Sequence, residues 1–128
     1  MSVFRDLLHV EEPSGERWEL ALDQLRQGRT IVFRGAAISV TGRTLIVEVP
    51  TTHAPASIEA RYADRLLDGA EVEVAALLEA SPEFADLVQD LPLVVRLIHD
   101  YHTGSLLVCQ RRDGELVWAP EAQPDERK

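Results

Sequence analysis

Few residues in this chain have side chains suited to chemistry, and their spacing does little to bring them together. The histidines are His9, His53, His99 and His102. Only His99-Asp100-Tyr101-His102 places two of them close in sequence, as a metal site or an acid–base pair would need. On a regular strand, residues three apart point to opposite faces. A turn at Thr103 could rotate His102 back and His53 could join from afar, so spacing alone does not decide whether His53, His99 and His102 converge. The single cysteine, Cys109, ends the apolar run Leu106-Leu107-Val108-Cys109 and reads as a buried small hydrophobe. Carboxylate pairs such as Glu11-Glu12 and Glu71/Glu73 stand in polar surroundings, as solvated surface acids do. No glycine-rich phosphate loop and no nucleophile elbow is present. These readings assign no catalytic residue, no cofactor and no metal.

The elements that must position these residues come from one domain's length of chain. The protein has 128 residues, 45% of them hydrophobic and 27% charged, which is globular composition. Its net charge of −9 argues against direct nucleic-acid binding, because gripping phosphates needs a basic patch. One cysteine excludes an internal disulfide framework and fits a reducing compartment. No apolar stretch reaches the ~20 residues that span a bilayer. The start Met1-Ser2-Val3-Phe4-Arg5-Asp6 has no signal-peptide pattern. Cytoplasmic location and no membrane partner are the expectation.

Residues 2–10 read as a short helix, closed by Glu11-Glu12-Pro13-Ser14-Gly15. Trp18, Leu22 and Leu25 recur at helical spacing, with Ser14 as the cap and Gly28 as the stop. Residues 30–33 begin a strand that Gly35 interrupts with a bulge, and residues 36–40 resume it. Thr41-Gly42 is a turn, and Thr44 to Val49 a strand ended by Pro50. A helix over 55–67 closes at Gly69, a further helix covers about 72–80, and Ser81-Pro82-Glu83 starts one that runs to Asp90. The last third reads as a β-meander: 93–101, 106–111 and 116–118, with Asp113-Gly114 as a hairpin signal. The fold class is α+β, with a mainly antiparallel sheet, helices packed on one face and a C-terminal β-meander. Residues 1–120 form one domain and residues 121–128 a flexible tail.

From Trp18 to Leu67 the chain resembles the KH-like N-terminal domain of the replication initiator DnaA. It also resembles the related C-terminal domain of the DNA polymerase III tau subunit. Trp18-x-x-x-Leu22-x-x-Leu25 matches the first helix, and Ala37 to Pro50 the strand–turn–strand. Ile58-Glu59-Ala60-Arg61-Tyr62 matches the next helix, and Leu93 to Leu97 a later strand. The pattern departs at Thr51, His53 and Ser57, and an extra hairpin spans 105–119. The resemblance implies a protein-docking module with no catalytic residues, binding its partner around Trp18, Arg61 and Tyr62.

The leading expectation is therefore a protein–protein interaction module, with a link to DNA replication. The second is an acidic chaperone, immunity protein or antitoxin that steers toward a basic partner. A small enzyme built on the histidines comes third. Trp18 is either a core anchor or an interface residue, and Tyr62 carries the same two readings. Trp118 ends the last strand, where an exposed sheet edge would support a homodimer.

Overall fold

The computed structural model describes residues 6–51, 58–99, 107–112 and 115–120. In chain order the elements are β1 (Leu8–Val10), α1 (Gly15–Arg26), β2 (Ile31–Phe33), β3 (Ala36–Thr41) and β4 (Thr44–Thr51), followed by α2 (Ala60–Ala80), α3 (Pro82–Leu87), β5 (Leu93–His99), β6 (Leu107–Arg112) and β7 (Glu115–Pro120). The strands form one sheet in sequence order, β1 to β7. β1–β2 and β4–β5 are parallel, and the other neighbouring pairs are antiparallel. Parallel neighbours need a crossover; α1 supplies the first, and α2 with α3 the second. The α+β class and the C-terminal meander β5-β6-β7 are as the sequence implies, while the sheet is mixed.

Both crossovers return over the same face. Along the register, Leu8, Ile31, Ile38, Val47 and Val95 line up on that face. Together with Phe33, Leu97 and Cys109 they meet Leu22 and Leu25 of α1, Leu67 and Leu77 of α2, and Phe84 of α3 in one apolar cluster. Each fully buried leucine, isoleucine or phenylalanine contributes roughly 1.5–3 kcal/mol. α1 lies over β1–β3 and α2 over β4–β6. On the opposite face a row crosses the sheet through Val32, Ala37, Glu48, Arg96 and Gln110. There the Arg96 guanidinium donates to Glu48 at 3.4 Å and to Gln110 at 3.3 Å.

Several local expectations are corrected, each for a physical reason. Residues 8–10 are strand rather than helix, because parallel pairing with β2 buries Val10. Gly35 is not a bulge: Phe33 pairs directly with Ala36, so Arg34-Gly35 is a two-residue hairpin corner. Both residues have positive φ, 49° and 88°, as a type I′ turn requires. Pro50 does not end β4, which continues beside β5 to Thr51. The pairing of β4 with β3 extends only to Glu48, so on that side no ladder partner is lost to the missing N–H. Gly69 does not close a helix either; α2 runs unbroken for 21 residues. α3 ends at Leu87 instead of continuing to Asp90, whose φ is 65°. Pro55 and the Thr103-Gly104 and Asp113-Gly114 turns lie outside the described residues.

At the base of the helical layer, Trp18 packs edge-on against Phe33 at 5.7 Å and tilted against Phe84 at 5.9 Å. Its Nε1 donates to the Ser81 hydroxyl at 2.9 Å. Ser81 also caps α3 by accepting from the Phe84 backbone N–H at 3.2 Å. One hydroxyl thus ties α1 to the junction of α2 and α3.

Candidate binding cleft

The residues expected to meet a partner do not share a surface. Trp18 is 2% exposed, so its indole is the core anchor of the two readings and offers no face to a partner in this fold. Arg61 stands in the first turn of α2, its side chain 84% exposed and paired with Glu59 at 3.2 Å. Tyr62 is half-buried beside it. Trp118 lies in β7, the last strand of the sheet.

The candidate chemical groups among the described residues do not come together either. His9 is exposed on β1, while His99 ends β5 with Nδ1 3.3 Å from the Thr51 carbonyl. His53 and His102 lie outside the described residues, and so does the question of their convergence. Among the described residues no three His, Cys, Asp or Glu side chains gather as metal ligands would. Cys109 is fully buried. Burial pushes its thiol pKa up, against the pull of Arg111 and with a further push from Asp64.

Arg111 is the most heavily paired cation among the described residues. On β6 it points to the helix side and meets Asp64, Asp68 and Glu71 of α2, the last two at 2.8 and 3.4 Å. These acids are spaced four and three apart, which puts them on one face of the helix. The hydrogen bond to Asp64, then the surrounding acids, raise the guanidinium pKa further. This cluster pins α2 to β6.

Between α2 and strands β2–β4 the layers do not close. A cleft of about 270 Å³ remains, floored by Phe33, Ala36, Ile38, Val47 and Val49 and walled by Leu66, Gly69, Ala70, Val74 and Leu77. Its apolar walls come from the sheet's helix side and from the α2 face at 66, 70, 74 and 77, one helical stripe. Small residues keep it open, namely Ala36 below and Gly69 and Ala70 above. A Cβ built at Gly69 would meet nothing within 4 Å. Val72, one turn from Gly69, is 68% exposed.

The mouth is charged. Arg34, Arg65 and Glu73 stand on it. Arg34 is fixed in place: its Nε donates to the Glu11 carbonyl at 2.8 Å and its Nη1 reaches Glu73 at 3.4 Å. Its guanidinium also lies 4.9 Å from the Phe33 ring centre. Arg65 makes no ion pair among the described residues.

Sequence reasoning missed this cleft. Its one signal in the sequence is Gly69 beside an apolar helical stripe, a position where glycine also suggests a helix end. An apolar cavity with a few placed polar groups is the usual form of a binding site, and nothing in its lining supplies a nucleophile or a general acid–base pair. The described residues therefore form an α+β protein with a mixed seven-stranded sheet and one open apolar cleft on its helical side. Comparison with known families, characterised proteins and solved structures finds no match to this chain. No helix among the described residues is long and apolar enough to cross a membrane.

Proposed function

We propose that the protein is a docking module, and that a partner protein inserts an apolar side chain into the cleft between α2 and β2–β4. One observation carries this reading. The cleft is kept open by a glycine in the middle of a long helix, where glycine costs about 1 kcal/mol relative to alanine. The fold's own packing does not require that glycine, since the space over it is empty. An approaching surface would. The volume of about 270 Å³ exceeds the ~150 Å³ cavity that holds a benzene, so one branched or aromatic side chain fits. The resemblance to docking domains of the replication machinery agrees in class and makes replication proteins the first partners to examine.

The test compares proteins recovered from cell extract by the wild-type chain and by Gly69→Leu, which puts a branched side chain on the cleft wall where a Cβ meets nothing within 4 Å. A partner bound by the wild type and lost by the variant, with the melting temperature maintained, supports the reading. Identical recoveries overturn it. A single basic partner held equally by both would instead identify the acidic-neutraliser function.

A further inference from the structure

We infer that the segment docking in the cleft carries an acidic residue beside its apolar anchor, although the chain as a whole is strongly acidic. The inference rests on the docking reading and adds the partner's chemistry. Chain-wide, 22 Asp and Glu outnumber 13 Lys and Arg, so the long-range field attracts basic partners. The cleft mouth has the reverse balance. Of its three charged residues, Arg34, Arg65 and Glu73, two are cationic. Glu73 is already engaged by Arg34, leaving the Arg65 guanidinium as the excess charge.

The geometry makes that excess usable. Arg65 and Gly69 are one helical turn apart on α2, so a side chain entering over Gly69 brings its neighbours in sequence under Arg65. Arg34 stands across the mouth, held by Glu11 and Glu73. Two guanidinium groups thus stand on one mouth, and a carboxylate is the group to which guanidinium geometry is matched. A lysine or arginine at the same place would meet Arg65 before it met any unengaged acid on the mouth. Apolar walls supply affinity, and the arginine rim selects which apolar segments enter.

The experiment is selection of a random peptide library displayed on phage against the intact chain, followed by fluorescence polarisation with the enriched peptides. The expected result is peptides centred on Leu, Ile, Phe or Met, with Asp or Glu within about three residues. Gly69→Leu abolishes their binding. Arg65→Glu, on an exposed helix position, weakens it about tenfold while the melting temperature stays unchanged. Enriched apolar peptides with neutral or basic flanks, or binding indifferent to Arg65→Glu, overturn the acidic-flank inference and leave the docking reading standing. Absence of any enriched peptide sensitive to Gly69→Leu overturns both. If decanoate then shifts the amide resonances of Gly69 and Ala70, the occupant is a small amphiphile and the peptide proposal fails.

Discussion

Ser81→Ala tests the junction at which the helical layer is locked. Ser81 is 2% exposed and its hydroxyl is saturated. It accepts from Trp18 Nε1 at 2.9 Å and from the Phe84 N–H at 3.2 Å, and it donates to Glu83 at 3.4 Å. A hydroxyl has one donor and two acceptor sites, so all three are used. Alanine removes the N-cap of α3, which costs about 1 kcal/mol. It also strands the indole N–H inside the core, at about 1–3 kcal/mol for an unsatisfied buried donor. The sum is about 2–4 kcal/mol, a fall in melting temperature of roughly 10 °C for a domain of this size.

The two contributions separate in a second background. In Trp18→Phe the indole donor is gone, so Ser81→Ala there loses only the cap, about 1 kcal/mol. Urea unfolding followed by far-ultraviolet circular dichroism measures all four proteins. A coupling energy of about 1–3 kcal/mol between the two sites is expected. Equal costs of Ser81→Ala in both backgrounds, or a cost below 1 kcal/mol in the wild type, would refute the saturated-hydroxyl argument.

Four other outcomes follow from the same packing. Trp18→Ala destabilises by about 3 kcal/mol or more, as removal of a buried aromatic does; equilibrium unfolding reads it directly. Gly69→Ala stabilises by about 0.5–1 kcal/mol, because alanine is the better helix former and nothing lies within 4 Å of the new Cβ. Arg111→Ala leaves Asp64, Asp68 and Glu71 facing one another and costs about 2 kcal/mol; added salt recovers part of that loss by screening them, so melting curves from low to high salt should converge toward the wild type. The Cys109 thiol is harder to ionise when folded. Above the unfolded thiol's pKa, about 8.5, the native state binds more protons than the unfolded one. Stability is then lost as pH rises through that region, and Cys109→Ala has the shallower decline in a pH series of unfolding curves.

What the sequence revealed was set by local signals. Trp18, Leu22 and Leu25 predict α1, and the structure places all three in the core. Ser81-Pro82 predicts the start of α3, and Ser81 caps it. Ser14 is the contrasting case: it occupies the N-cap of α1, yet its side chain makes no capping bond. Errors arose where long-range pairing overrode local preference. Three residues, Leu8–Val10, became strand because β2 lies alongside. Pro50 was carried on in β4 by its pairing with β5. Arg34-Gly35 was hard to read because arginine is a poor left-handed residue, and a hairpin corner is usually marked by Asn or Asp before Gly. The cleft was invisible for a related reason: its walls come from β2, β3, β4 and α2, and only the pairing of those strands brings them together.

Two departures from local preference meet at that cleft, and they have different physical causes. Arg34 adopts φ of 49°, a left-handed conformation that costs a non-glycine residue roughly 1–2 kcal/mol. Gly69 sits in a helix interior where almost any other residue would be more stable. At other positions the local and global signals agree: Ser81 caps α3, and the β3–β4 corner has its glycine, Gly42, at φ of 61°. Asp90, at φ of 65°, is a left-handed residue outside the cleft lining. What marks the cleft is therefore the meeting of strain at Arg34 with weakness at Gly69, a pairing common where function constrains a site. Glycine or asparagine at 34 would relax the turn but remove a guanidinium from the mouth. Alanine at 69 would strengthen α2 but narrow the opening. Each substitution that favours folding would take something from the cleft, and that opposition is the physical reason for proposing a binding function there rather than at the buried Trp18.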